Sequence, residues 1–189
     1  MISLPFRRTL RSPTIDALYG AIVAQARSPS FYRDYGVPDT VAGRLDMIVL
    51  HLVLLLRQLS RAPDAAPPIG QQVFDRFCQD IDDNFREMGV GDLAVPKAMW
   101  RVAEDFYGRA KVYESALMDD NDDALVAAVS RNVFGVAAPP LGAHRLAAYM
   151  RDAARRLGQQ DAGEFVRAEL DFPDPENVAP PSFQVRPNP

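Results

Sequence analysis

The run from Met47 to Leu56, MIVLHLVLLL, leaves this chain few ways to fold. Wound as a helix it is apolar at almost every angle, interrupted by His51 alone, so it has no face to give to water. It falls well short of the roughly 18 or more apolar residues that a membrane span needs, and no other stretch comes nearer. It therefore reads as a buried central helix around which the other elements are arranged. His51 is expected to be a core histidine with one hydrogen-bond partner.

The remaining apolar residues recur with helical spacing. Ser12-Pro13 is a helix start, because proline at the first helical position gives up an N–H that had no partner. Ile15, Leu18, Tyr19, Ile22, Val23 and Ala26 then form one stripe. Ser28-Pro29 repeats the start signal for a short helix stopped by Gly36. Val37-Pro38 is an extended joint, and Asp39 is placed to cap the central helix, which ends near Arg61. Val73, Phe74, Phe77, Ile81, Phe85 and Met88 recur every three or four residues, as do Met99, Val102, Phe106, Tyr113 and Leu117. Asp120 or Asn121 can cap a helix that ends at Gly135. Leu146, Tyr149, Met150 and Leu157 mark another, and Phe165, Val166 and Leu170 a short last one. No run alternates with period two, so the fold class is all-α, with about seven to eight helices. Three segments are expected: a basic arm over 1–12, one helical domain over 13–170, and an extended or disordered tail over 171–189. That tail holds six of the sixteen prolines.

Between the two best-patterned helices lies REMGVGDLAVPKAMW, Arg86 to Trp100. Its Gly89-Val90-Gly91 with Ala94 fits the permissive spacing of a dinucleotide-binding turn. Such a turn needs a strand to deliver the chain to it, and the residues before Gly89 are helical in period. A helix stop explains more. Gly89 sits just past a helix end, where a left-handed backbone is cheap only for glycine. Val90 and Phe85 occupy the positions whose apolar contact accompanies such a stop. Asp92 can cap the next turn, and Pro96 fits only within a first helical turn. Gly89, Gly91 and Pro96 thus make a structural corner.

Chemistry is sparse elsewhere. His51 and His144 stand in separate helices and in no metal-ligand spacing. Asp80, Asp82, Asp83 and Glu87 start like a calcium loop, but Phe85 and Gly91 occupy the positions that need glycine and glutamate. Asp119, Asn121 and Asp123 fail in the same way, at Ala124 and Ser130. The lone Cys78 reads as a packed, inert thiol, and one cysteine fits a reducing compartment. No metal and no cofactor is called for. The net charge of -4 speaks against a dedicated nucleic-acid binder. It is unevenly spread: residues 1–61 carry eight Arg against four Asp (+4), residues 62–134 seven Lys and Arg against fourteen Asp and Glu (-7). The first thirteen residues lack an uninterrupted apolar core, so they read as no secretory signal. A cytoplasmic location is expected.

Two long stretches resemble the ubiquinol–cytochrome c chaperone family, the assembly factors of the cytochrome bc1 complex. The first runs from Tyr19 to Leu59, with Tyr32, Tyr35-Gly36-Val37-Pro38-Asp39-Thr40, Gly43-Arg44 and Leu50-His51. The second runs from Phe74 to Arg109, with Asp80, Asp82, Arg86-Glu87-Met88-Gly89-Val90-Gly91-Asp92, Val95, Lys97, Met99 and Phe106-Tyr107-Gly108-Arg109. Leu45 stands where the family pattern has Phe, and Trp100 is bulkier than its counterpart. The resemblance covers about residues 17–117; past about residue 120 nothing is carried over. It implies an all-α chaperone that holds newly made cytochrome b, or its nascent chain, until it enters the bc1 complex. In mitochondria such chaperones act with a small partner protein near the ribosome exit. The composition here points to a bacterial member, at or near the inner face of the cytoplasmic membrane.

On this reading the client docks at the glycine corner. Met88, Val90, Leu93, Val95 and Trp100 would supply apolar contact, and Arg86, Asp92, Lys97 and Arg109 a polar rim. The arm, with Arg7, Arg8 and Arg11 beside Leu4, Phe6 and Leu10, could add weak contact with an anionic membrane surface. The alternative is a small α-helical enzyme or ligand carrier whose interhelical pocket is lined by Tyr19, Tyr32, His51 and Tyr107. A generic helical adaptor for a soluble partner also remains open at this point.

Overall fold

A computed structural model of the chain describes residues 13–61, 67–119 and 121–178, without the side chains of Pro67 and Pro68. The basic arm over 1–12 with the start signal at Ser12, residues 62–66, Asp120 and residues 179–189 lie outside the described residues. Within them the chain is all-helical: α1 (Pro13–Ala26), α2 (Pro29–Arg33), α3 (Val41–Leu59), α4 (Pro67–Glu87), α5 (Val95–Met118), α6 (Asp122–Asn132), α7 (Leu141–Leu157) and α8 (Ala162–Val166).

The apolar run becomes the middle of α3, and every residue from Met47 to Leu55 is buried. This helix packs against α1, α4, α5 and α7. α4 joins α1 to α5, and α6 fills the space between α5 and α7. A helix with no polar face is stable only when surrounded in this way, since exposing one Leu or Val forfeits about 1.5–3 kcal/mol.

Polar contacts fix the helices relative to one another. Arg76 of α4 donates to Asp16 of α1 at 2.9 Å, and the Tyr19 hydroxyl donates to Asp80 at the same distance. Arg109 of α5 forms an ion pair with Asp46 of α3; burial raises the Asp46 carboxyl and the guanidinium opposes that rise. Arg151 of α7 pairs with Asp122 and donates to the Asp119 carbonyl at 2.7 Å, binding the α5–α6 joint to α7.

The start of α3 corrects one expectation. Thr40, not Asp39, caps α3: its hydroxyl accepts the Gly43 N–H at 3.0 Å, while Asp39 pairs with Arg44 at 2.7 Å. Asn121 does cap α6. Residues 171–178 are without helix but lie along the domain. Gln25 donates to the Pro173 carbonyl at 2.9 Å, and the Tyr35 hydroxyl to the Pro175 carbonyl at 2.7 Å. Phe172 packs edge-on against His51.

Candidate functional site

α4 runs straight into the glycine corner. Gly89 has φ +80°, its N–H donates to the Arg86 carbonyl, and the Val90 N–H donates to the Phe85 carbonyl, both at 3.0 Å. This is the Schellman stop expected from the sequence. Phe85 and Val90 are both half-buried against the core. Gly91 then receives the first amides of α5: its carbonyl accepts from Ala94 at 2.7 Å and from Val95 at 3.2 Å. Pro96 lies in the first turn of α5, as its missing N–H requires. The corner is held by backbone hydrogen bonds on both sides, which fixes the backbone from which its side chains project.

Three large apolar side chains on this corner face water. Met88 is 64%, Leu93 98% and Trp100 59% exposed. Around them stand charges. Arg86 donates to Asp82 at 2.6 Å and to Asp92 at 2.5 Å, while Lys97 is exposed. Asp92 therefore does not cap α5; Ala94 occupies that position without a side-chain bond, because Arg86 holds the carboxylate. Val95, named beside these residues from the sequence, is only 1% exposed and belongs to the core. Arg109 is twelve residues along α5 from Lys97, about 18 Å at 1.5 Å per residue, and is engaged with Asp46.

Tyr107 was missed as part of this face. It is exposed, one heptad beyond Trp100 on α5, and its ring touches Phe74 and Phe106. The i, i+7 spacing from Trp100 was the available signal.

The interhelical pocket does not form from the residues named for it. The Tyr19 hydroxyl goes to Asp80, that of Tyr32 to the Ala26 carbonyl at 2.7 Å, and Tyr107 faces outward. His51 is fully buried and has two partners rather than one: the Met47 carbonyl at 2.7 Å and the Tyr149 hydroxyl at 2.8 Å. Burial holds its pKa down at about 4, so the imidazole is neutral at physiological pH. Cys78 is buried, which pushes its thiol up to about 12, far from the range of a reactive thiolate. No described helix is long and apolar enough to cross a membrane.

No curated protein matches the chain. Among solved structures it is similar to the crystal structure of the Cbp3 homolog from Brucella abortus. The TM-score is 0.80 at 33% identity, over 88% of this chain and 92% of that one. A family model described as ubiquinol-cytochrome C chaperone matches residues 33–172. That match begins later than the resemblance read from the sequence and continues through α6, α7 and α8, where the residues alone carried nothing over. It spans the corner, the central helix and most of the described chain, and on that breadth the protein belongs to the ubiquinol-cytochrome C chaperone family.

Proposed function

We propose that this chain is an assembly chaperone of the cytochrome bc1 complex that holds newly made cytochrome b at the corner between α4 and α5. The observation that carries this reading is Leu93. A leucine almost wholly in water gives the fold nothing, yet it sits on a backbone-locked turn between exposed Met88 and Trp100. Family membership supplies the kind of client; the corner supplies a surface suited to it.

The energetics suit a holder. A patch of about 400 Å² gives about 10 kcal/mol gross at about 25 cal/mol per Å². Association costs of about 4–15 kcal/mol offset much of that, which leaves a complex that can be released. The charges of Arg86, Asp92 and Lys97 steer the client's orientation and keep the free chaperone from self-association. The client being a membrane protein, this work belongs at the inner face of the cytoplasmic membrane.

A photo-cross-linker at position 97 tests the surface. Adducts with newly made cytochrome b are expected there and not from the same probe at Arg131. Equal labelling from both positions, or none from position 97, overturns the assignment. Deletion of the gene tests the role: bc1 haem b is lost while the cytochrome b transcript is unchanged.

A further inference from the structure

The C-terminal ends of α3, α5 and α7 enclose an open cleft of about 470 Å³, and four arginines line it: Arg57, Arg61, Arg151 and Arg155. Two of them have carboxylate partners. Arg151 pairs with Asp122, and Arg155 shares Asp152 with Arg156. Arg57 and Arg61 form no ion pair among the described residues, and the buried Nε of Arg57 has no acceptor. Burial and the neighbouring Arg61 both depress the Arg57 guanidinium, against the pull of Glu114.

Arg151 is spent on the end of α5, where it donates to the Ala116 and Asp119 carbonyls, but Arg57 and Arg61 are not needed to finish a helix end. At the end of α3 the Ser60 N–H donates to the Leu56 carbonyl, the Arg61 N–H to the Gln58 carbonyl and the Ser60 hydroxyl to the Arg57 carbonyl. At the end of α7 the Gly158 N–H donates to the Ala154 carbonyl. The unmet donor on half-buried Arg57 carries a desolvation cost that an acceptor would relieve, and exposed Arg61 stands beside it as a second cation without a carboxylate partner among the described residues. The planar fork of arginine matches the oxygens of a phosphoryl group two at a time. The positive charge of Arg57 and Arg61, offset only in part by Glu114, suits an anion such as phosphate, which carries between one and two negative charges near neutral pH.

We propose that this cleft is a binding site for a phosphate-class oxyanion, held by Arg57 and Arg61 with Arg151 and Arg155 as its positively charged wall. The site is separate from the α4–α5 corner and does not depend on the identity of the client.

Thermal unfolding in sodium phosphate, against sodium chloride of equal ionic strength, tests it on the full chain. The wild type is expected to show a saturable rise in Tm specific to phosphate. Arg57→Gln and the fold-neutral Arg61→Gln should each weaken the apparent Kd tenfold or more. Arg131→Gln, at the far end of α6 from Asp122, should leave it unchanged. A second arm uses vesicles of one-third phosphatidylglycerol in phosphatidylcholine. Sedimentation with them that Arg61→Gln abolishes and inorganic phosphate competes away assigns a lipid headgroup. Phosphate binding without sedimentation assigns free phosphate or a soluble phosphoester. No rise in Tm beyond chloride, or the same rise in wild type and both cleft variants, overturns the site.

Discussion

His51 and Tyr149, ninety-eight positions apart, meet at 2.8 Å inside the core and tie α3 to α7. His51 Nδ1 faces the Met47 carbonyl, which can only accept, so Nδ1 carries the proton and Nε2 accepts from the Tyr149 hydroxyl. Gln25 in turn donates to the Tyr149 oxygen at 2.9 Å, and the same amide reaches the Pro173 carbonyl. One hydroxyl thus joins α1, α3, α7 and the segment after α8. Tyr149→Phe is expected to cost about 1–3 kcal/mol, because Nε2 is left buried without a donor. Urea unfolding at pH 7.5 measures it.

The same histidine makes stability depend on pH. Its folded pKa of about 4 lies below the ordinary 6.5, so the unfolded chain binds the proton first. The contribution is complete above about pH 6.5 and is lost as pH falls toward 4. Between pH 7.5 and pH 5 the loss is about 2 kcal/mol from this group. The difference in unfolding free energy between those two pH values should shrink by about that amount in His51→Gln.

Gly89 and Gly91 are not equivalent. Gly89 has φ +80°, whereas Gly91 has no positive φ and nothing within 4 Å of an added Cβ. Gly89→Ala should cost about 1–2 kcal/mol, and Gly91→Ala less than about 0.5 kcal/mol. Guanidinium unfolding of the two single variants separates them.

At the corner, exposure predicts a split between folding and binding. Leu93→Ser and Trp100→Ala should leave stability within about 0.5 kcal/mol and lower cross-linking to cytochrome b about tenfold. Val95→Ala should instead destabilise by about 1.5–3 kcal/mol, in keeping with its burial. Loss of stability in Leu93→Ser, or undiminished cross-linking, would remove the corner as a docking surface.

The segment after α8 is expected to matter for stability. Ending the chain at 170 removes Phe172 from His51, the carbonyls of Pro173 and Pro175, and the Glu176 carboxylate that accepts from Ser30 at 2.9 Å. Relative to a chain ending at 178, the loss should be about 3–5 kcal/mol. Calorimetry of the two truncations provides the comparison.

Much of the helical layout was legible because its signals are local. A helix stop is decided within about six residues, so Phe85, Gly89, Val90 and Pro96 announced the corner without reference to the rest of the chain. The caps show the limit of that rule. Asp39 and Asp92 both looked like caps, but each lies within reach of an arginine, Arg44 and Arg86, that competes for the carboxylate. Val95 and Leu93, two residues apart and alike in chemistry, ended on opposite sides of the surface because only one of them points from α5 into the core.

The sequence by itself determined the class of fold, the central place of α3 and the corner between α4 and α5, since apolar period and turn chemistry act over a few residues. Only the tertiary structure decided that His51 would meet Tyr149, that Arg109 would leave the corner for Asp46, and that Arg57 and Arg61 would share a cleft with the end of α7. Those pairings depend on the angles at which helices cross. The angles follow from how all the buried side chains fill space together, and no short stretch of sequence carries that information.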